Sequence, residues 1–489
     1  MNKIFFMLVA LTSSLTGFAA QYYAAVDGAD DASCESRETA GSLKAALLKV
    51  NSGSDNELIL LKGTYKLNEI MTPTTQRSSP TAISVTDGRG SLKIIGETDN
   101  PDDTILDGGG AVRAIYTNTT ALELNNLTLQ NCYASNNGYG GAIYIHYSAF
   151  KASNCNFLNN KASGGFGGAI NNAFFKCDFN GCKFTGNECG GGLYGWAISS
   201  KGGNLDSCFF DGKNQEVNGQ LIYSGAMKHN QVTTGDGVII VDNTRFCDIN
   251  IPSHKDYLLL NAVQIDIKRS SFSRIYTQSA SGVIKPGSTP LNISDSIFEN
   301  CDGSTAFLAV AGTVSNCKVI DCGKFLTTGF VVKNCLFDGG NYRKFSYNQP
   351  NYFYGCTIVN LESATDTLNN IIGYGSTVVN CAFYNNSNLP EVKKACNFTN
   401  TYYQVSSGII GSNNGNHQIV EGENVGFKLE GDHPYQLKKN SILRGQGMVL
   451  DGMESEKDLA GNKRLSAVGT VDVGAYQYVP IMGFSVIVH

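Results

Sequence analysis

Ala152-Ser153-Asn154-Cys155-Asn156-Phe157, Phe179-Asn180-Gly181-Cys182-Lys183-Phe184 and Leu205-Asp206-Ser207-Cys208-Phe209-Phe210 share one template: apolar, polar, polar, small, variable, apolar. Leu124 to Leu129 precedes them on the same pattern. The template then continues through Val241 to Phe246, Ile267 to Phe272, Ile293 to Phe298, Val314 to Val319, Val332 to Phe337, Phe353 to Ile358 and Val378 to Phe383, eleven copies in all. Counted at the final apolar residue, the steps are 28, 27, 26, 36, 26, 26, 21, 18, 21 and 25 residues. Such uneven steps belong to solenoid coils joined by loops of different length, because propeller blades and helical hairpins repeat more evenly.

Residues two apart on a strand share a face, so the small residue and the final apolar one both point inward and the residue between them faces water. That outward residue is Asn156, Lys183, Arg245, Ser271, Lys318 and Thr357 in six copies, whereas Phe209, Ile297, Leu336 and Ala382 break the rule. The polar pair fits a sharp corner, where Asn tolerates a left-handed backbone, so Asn154, Asn243, Asn316, Asn334 and Asn380 are expected to form a column. Stacked at ~4.8 Å per rung, the copies make a rod of roughly 50 Å. The fold expected is all-β: a right-handed, single-stranded parallel β-helix with a short N-terminal capping helix. The chain divides into a signal peptide (1–20), an N-terminal cap with first strands (21–91), β-helix coils (92–400), and C-terminal coils with a cap and anchor-like segment (401–489).

Seven of the fifteen Cys occupy the small inward position: Cys155, Cys182, Cys208, Cys317, Cys335, Cys356 and Cys381. Stacked neighbours pointing alike at ~4.8 Å lie beyond the ~3.8 Å that a disulfide prefers, so these read as buried thiols used as small apolar residues. A line of thiolates on one face cannot close a zinc tetrahedron. Cys132, Cys301 and Cys322 lie three residues past the inward apolar position, where a second column or occasional disulfide pairing is expected. An odd count leaves at least one thiol free, which in an exported chain points to deep burial or a reducing habitat.

The first twenty residues carry Lys3, an apolar run from Ile4 to Leu11, and Gly17-Phe18-Ala19-Ala20 at the place of cleavage, which predicts an exported protein, secreted or on the cell surface. No other segment approaches the ~20 apolar residues of a transmembrane helix. The formal charge of −5 supplies no basic surface for nucleic acid. Leu43, Ala46, Leu47 and Val50 share one helical face that can plug the open end of the solenoid. Leu58 to Leu61, Leu92 to Ile95 and Thr104 to Leu106 read as the next strands.

The helix, Lys62-Gly63-Thr64-Tyr65, Ile94-Ile95-Gly96 and Leu106-Asp107-Gly108 together resemble the start of pectate-lyase-like β-helix proteins. Gly140-Gly141-Ala142-Ile143 and Gly167-Gly168-Ala169-Ile170 recur, as do Phe157-Leu158-Asn159-Asn160, Phe184-Thr185-Gly186-Asn187 and Phe383-Tyr384-Asn385-Asn386. These resemble the two short repeats of chlamydial polymorphic outer-membrane proteins, which are surface adhesins. Asp458-Leu459-Ala460-Gly461-Asn462-Lys463-Arg464 and Val471-Asp472-Val473-Gly474-Ala475-Tyr476-Gln477-Tyr478 are similar to the closing segment of bacterial surface β-helix proteins with a choice-of-anchor domain. The resemblance implies a surface adhesin-like protein, associated with the outer membrane.

A β-helix enzyme needs carboxylates clustered with Arg, Lys or His on one outer sheet. The Asn-Thr-Asp, Gly-His-Gly and Arg-Ile-Lys elements of polygalacturonase-like enzymes are missing. Asp102-Asp103 follows Pro101 and Asp107 precedes three Gly, so capping and turn formation explain them, and Asp27, Asp30 and Asp31 read the same way. His146, alone in an early coil, reads as structural, and Gly190-Gly191-Gly192 as a coil turn. No catalytic, cofactor-binding or metal-binding residue is therefore assigned, and no cofactor. The function expected is adhesion, binding or scaffolding against a polysaccharide or a host or neighbouring-cell surface. The alternative is a polysaccharide lyase or glycoside hydrolase on the same fold, which a solvent-open groove joining such groups would favour.

Overall fold

A computed structural model describes residues 19–480 except 51–54, 87–89, 173, 191–196, 213–221, 229–230, 235–237, 252–258, 261–263, 278–282, 286–289, 304–306, 309–310, 324, 327–328, 340–349, 362–374, 387–395, 405–414, 420–422 and 424. The expected signal peptide thus lies almost wholly outside the described residues, and the 36-residue step between Phe210 and Phe246 holds the antiparallel pair Ile222–Lys228 and Gln231–Thr234.

The chain is a right-handed parallel β-helix with three long faces. The first face has fifteen strands and runs from Ala20–Ala29 to Asn397–Thr399. The second has sixteen, from Gly63–Lys66 to His417–Gln418, and the third has ten, including Ser79–Val85, Arg113–Asn118, Ile143–His146, Ile170–Asn172 and Ile198–Ser200. Pairing along the long ladders is parallel and follows the template register: Ala152 lies against Phe179, and Phe157 against Phe184. Each template copy is the end of a first-face strand, a corner, and the start of a second-face strand.

The corner is where the sequence pattern becomes backbone geometry. Asn154, Asn243, Asn316, Asn334 and Asn380 all have φ between 44° and 55°, the left-handed region that Asn enters at least cost. Inside the corner, the final apolar residues stack ring on ring. Phe157, Phe184, Phe210, Phe246, Phe272 and Phe298 follow one another at centroid spacings of 4.7–4.9 Å, with interplanar angles of 3–12°.

The seven column Cys are buried, and all fifteen Cys are free. Their role is more specific than small size. Each thiol donates to the carbonyl two residues back, as Cys317 Sγ does to Ser315 at 3.2 Å and Cys335 Sγ to Lys333 at 3.1 Å. Thr244, Ser270 and Ser296 hold the same column position and donate in the same way, at 2.7–2.8 Å. In every copy but the first, which has Leu127, the position holds a small side chain with a donor, and its bond is a second one to a carbonyl that already accepts a backbone N–H from the preceding rung. Cys132, Cys301 and Cys322 fill the second column, which Asn160 and Asn187 share as buried amides, each bonded to the backbone of the preceding rung.

The rule that the middle residue faces water needs correction at the C-terminal rungs. Leu336, Thr357 and Ala382 point outward but are buried at 0–1% exposure, because the irregular segment 425–478 lies over them. Val473, Ala475, Tyr476, Phe427 and Leu437 form a second apolar cluster with Leu336 and Ala382, and the Ala475 N–H donates to Thr357 Oγ1 at 2.8 Å. Ile297 stays 41% exposed, and Phe209 sits beneath the cations of Lys183 and Arg245 at 5.9 and 5.4 Å.

Residues 445–477 carry their own polar latch. Asp458 accepts from the N–H groups of Ala460, Asn462 and Gln477, and Asp472 accepts from that of Gly445. The fully buried Arg464 reaches the Asp472 carbonyl. At Gly355, whose φ is +59°, a Cβ would come 2.8 Å from Arg464 Nη2, so only glycine admits the arginine there.

At the other end the helix Leu43–Val50 buries Leu43, Ala46, Leu47 and Val50 as its pattern requires. Its partner is a strand that the sequence reading lacked: Ala20–Ala29 pairs in parallel with Asp55–Leu60, so the ladder begins upstream of Leu58. Among the described residues no helix is long and apolar enough to cross a membrane.

Candidate functional site

Four of the six aspartates weighed from sequence, Asp30, Asp102, Asp103 and Asp107, are spent on structure. Asn100 caps the turn at Pro101–Asp103 by accepting from the Asp102 N–H, and Asp102 accepts from Thr128 and Asn156. Asp103 pairs with Lys62 at 2.8 Å, Asp107 takes the Gly109 N–H, and Asp30 takes Ser42 Oγ. Among the described residues one group of metal-type ligands gathers, Asp211, Cys247 and Asp248. Arg274 already binds both Asp248 oxygens, at 2.5 and 2.7 Å, and holds that carboxyl below the usual carboxylate range.

The third face instead assembles a different set around His146. Asn118 ends one strand and His146 the next, so the parallel register places them side by side. The step between them is 28 residues, the same as that between Leu129 and Phe157. Arg77 arrives from the tip of the antiparallel hairpin Thr74–Gln76 and Ser79–Val85. Its Nη2 lies 2.8 Å from His146 Nε2 and 3.2 Å from Nδ1, while Nδ1 lies 3.0 Å from Asn118 Oδ1. The amide oxygen only accepts, so Nδ1 carries the proton and Nε2 keeps its lone pair toward the guanidinium. Burial, and then the charge of Arg77, hold the His146 pKa below its ordinary 6.5. The ring is neutral at neutral pH.

Aromatic groups wall this set. Tyr147 packs 3.9 Å from the imidazole centroid and stacks on Phe174 at 4.5 Å and 29°. Tyr147 is 49% exposed, so the wall opens to solvent. Beneath lie Tyr144 and Tyr116, 5.7 Å apart, and burial raises the Tyr144 pKa. The repeated Gly-Gly-Ala-Ile explains how the chain enters these strands: Gly140 and Gly167 have φ near +62°, and a Cβ on either would come 2.0–2.1 Å from the carbonyl oxygen three residues on. Gly191 and Gly192 lie outside the described residues.

The backbone here is strained in a way that the Asn corners are not. Thr119 and Tyr147, which follow Asn118 and His146, have φ of 68° and 63°, and Ser78 beside Arg77 has 68°. β-Branched and bulky residues rarely adopt this region, and such outliers collect where geometry serves a ligand. His146, read from sequence as structural, is therefore brought together with Arg77, Asn118, Tyr147 and Phe174, none of which the sequence reading singled out. The 28-residue step was the one signal that could have joined Asn118 to His146.

No protein-family model matches the chain, and no curated protein does. Several solved structures align over most of its length. A mannuronic-acid-specific family 6 polysaccharide lyase from human gut microbiota is 13% identical, covers 82% of this chain and 92% of its own, and has a TM-score of 0.39. A pectate lyase is 14% identical, with coverages of 94% and 96% and a TM-score of 0.25. A rhamnogalacturonan lyase is 12% identical, with coverages of 84% and 91% and a TM-score of 0.26. At such identity and overlap these likenesses assign no residue of the site.

Proposed function

We propose that the protein cleaves a uronate-containing polysaccharide by β-elimination at the His146 site. The observation that carries this reading is a neutral imidazole whose lone pair lies against a guanidinium, with no carboxylate bonded to either group among the described residues. Glycoside hydrolysis calls for a pair of carboxyl groups flanking the bond. Elimination calls for a cation to pair with the uronate carboxylate and a neutral base to take the proton from the adjacent ring carbon. In this reading Arg77 moves from the imidazole to the substrate carboxylate, and the freed Nε2 takes the proton. The electron pair left behind forms a carbon–carbon double bond as the neighbouring glycosidic carbon–oxygen bond breaks. The exposed phenol of Tyr147 then gives its proton to the leaving oxygen.

The test is incubation of residues 21–489 with polymannuronate, polyguluronate, polygalacturonate and a neutral glucan, following the ultraviolet absorbance of the conjugated unsaturated product. Product from at least one polyuronate and none from the glucan is expected. Because the base works unprotonated and its pKa lies below 6.5, turnover should hold down to that pH and fall as the imidazole protonates below it. Absence of product from every polyuronate overturns catalysis.

A second reading is favoured by the exposed Tyr147 stacked on Phe174. It is a secreted or cell-surface adhesion protein that holds the same class of polymer without breaking it. Retardation by polyuronate in native gels, with no product, supports it. Both readings place the protein outside the cytoplasm, on the strength of Lys3, Ile4 to Leu11 and Gly17 to Ala20. The division at residues 20, 91 and 400 belongs to this proposal, as do the surface-adhesin likeness of the short repeats and the anchoring role of segment 458–478.

A further inference from the structure

We infer that Arg113 is a positioning residue for the His146 site: its buried guanidinium fixes the hairpin that carries Arg77 and thereby sets where Arg77 meets the imidazole. The inference rests on the site reading above. Arg113 is fully buried, and the partners of its guanidinium are all neutral. Nη1 donates to the Gln76 carbonyl at 2.9 Å and to Thr81 Oγ1 at 3.0 Å. Nε donates to the Gly140 carbonyl at 3.0 Å and Nη2 to that of Tyr139 at 2.8 Å. The guanidinium carbon also lies 5.5 Å from the centroid of the Tyr144 ring.

A buried charge without a counter-charge is costly, and an apolar side chain would fill the same space more cheaply. What the guanidinium adds is a rigid fork of donors. That fork spans both strands of the hairpin, through Gln76 and Thr81, together with the loop that places Tyr139 against Tyr144. Gln76 immediately precedes Arg77, so the clamp acts one residue from the group that meets His146. Arg113 also begins the strand Arg113–Asn118 that ends at the other partner of His146. Burial draws its pKa down only to about 10, so it stays charged at neutral pH.

The test reads the imidazole itself, by NMR titration of the full mature chain, with the His146 signal assigned by its loss in His146→Gln. Among the described residues the titratable groups facing this ring are Arg77, Tyr144 and Tyr147, and of these Arg77 alone is charged near neutrality. Arg113→Lys keeps the charge and loses the fork. It is expected to raise the His146 midpoint by about half a unit, as Arg77→Ala does, because the guanidinium no longer sits against the ring. In the Arg77→Ala background, Arg113→Lys should add nothing. A lower melting temperature with an unmoved midpoint, or a full additional shift in that background, overturns the inference. Thr81→Val removes one acceptor alone and should shift the midpoint in the same direction by less. It decides the question if Arg113→Lys does not fold. A moving midpoint in a protein that cleaves no polyuronate leaves the positioning role standing and the lyase reading fallen. Turnover with an unmoved midpoint gives the reverse.

Discussion

Two kinds of corner turn this coil. Where the first face meets the second, Asn154, Asn243, Asn316, Asn334 and Asn380 take the left-handed backbone, and their amides tie the corner to its surroundings. Asn154 donates to Asn126 Oδ1, and at Asn380 both amide atoms bond the Met448 backbone, at 2.8 and 2.7 Å. Where the third face meets the first, Thr119 and Tyr147 take the same φ without an amide to repay it. Asn or Gly builds the first corner in eight of its eleven copies, with Ser207, Arg269 and Asp295 in the others, whereas Thr and Tyr build the second at these two rungs. A β-branched and an aromatic residue in the left-handed region on two successive rungs, beside the buried His146 and the exposed Arg77, mark a corner shaped by something other than stability.

The comparison is broken most severely by Asn380→Ala. The substitution places Ala in a left-handed position and strips the Met448 N–H and carbonyl of their partners in a partly buried place, so a loss of about 2 kcal/mol is expected. A urea unfolding curve reads it, and turnover at the distant His146 site should be unchanged. A loss near zero would mean that the Asn column does not hold the coil.

Thr119→Gly should act in the opposite sense, because it relieves a β-branched residue of its left-handed strain. A gain of about 1 kcal/mol is expected, and the same unfolding curve measures it. If Thr119→Gly destabilises as Asn380→Ala does, the two corners are of one kind.

The sequence made the first corner legible and the second not, for a physical reason. Asn, the small residue and Phe lie within four positions of one another, so spacing alone reveals the corner, the ring stack and the buried thiol column. The helix Leu43–Val50 is local and was equally plain. What escaped depended on contacts between distant parts. Leu336 and Ala382 looked like faults until segment 425–478 was seen to cover them. The common donor chemistry of Cys, Ser and Thr was hidden because thiols count as apolar in composition. His146 could be noticed, yet Arg77 reaches it from 69 residues away on a hairpin outside the repeat.

The account's central claim is that the His146 corner serves a reaction rather than the fold, and His146→Ala tests it most directly when turnover on polyuronate and thermal melting are recorded on the same sample. The account predicts turnover lower by about 10²–10⁴-fold, the contribution of a general base, with a melting temperature close to that of the parent. A variant that melts far earlier, or one that cleaves as fast as the parent, would contradict it.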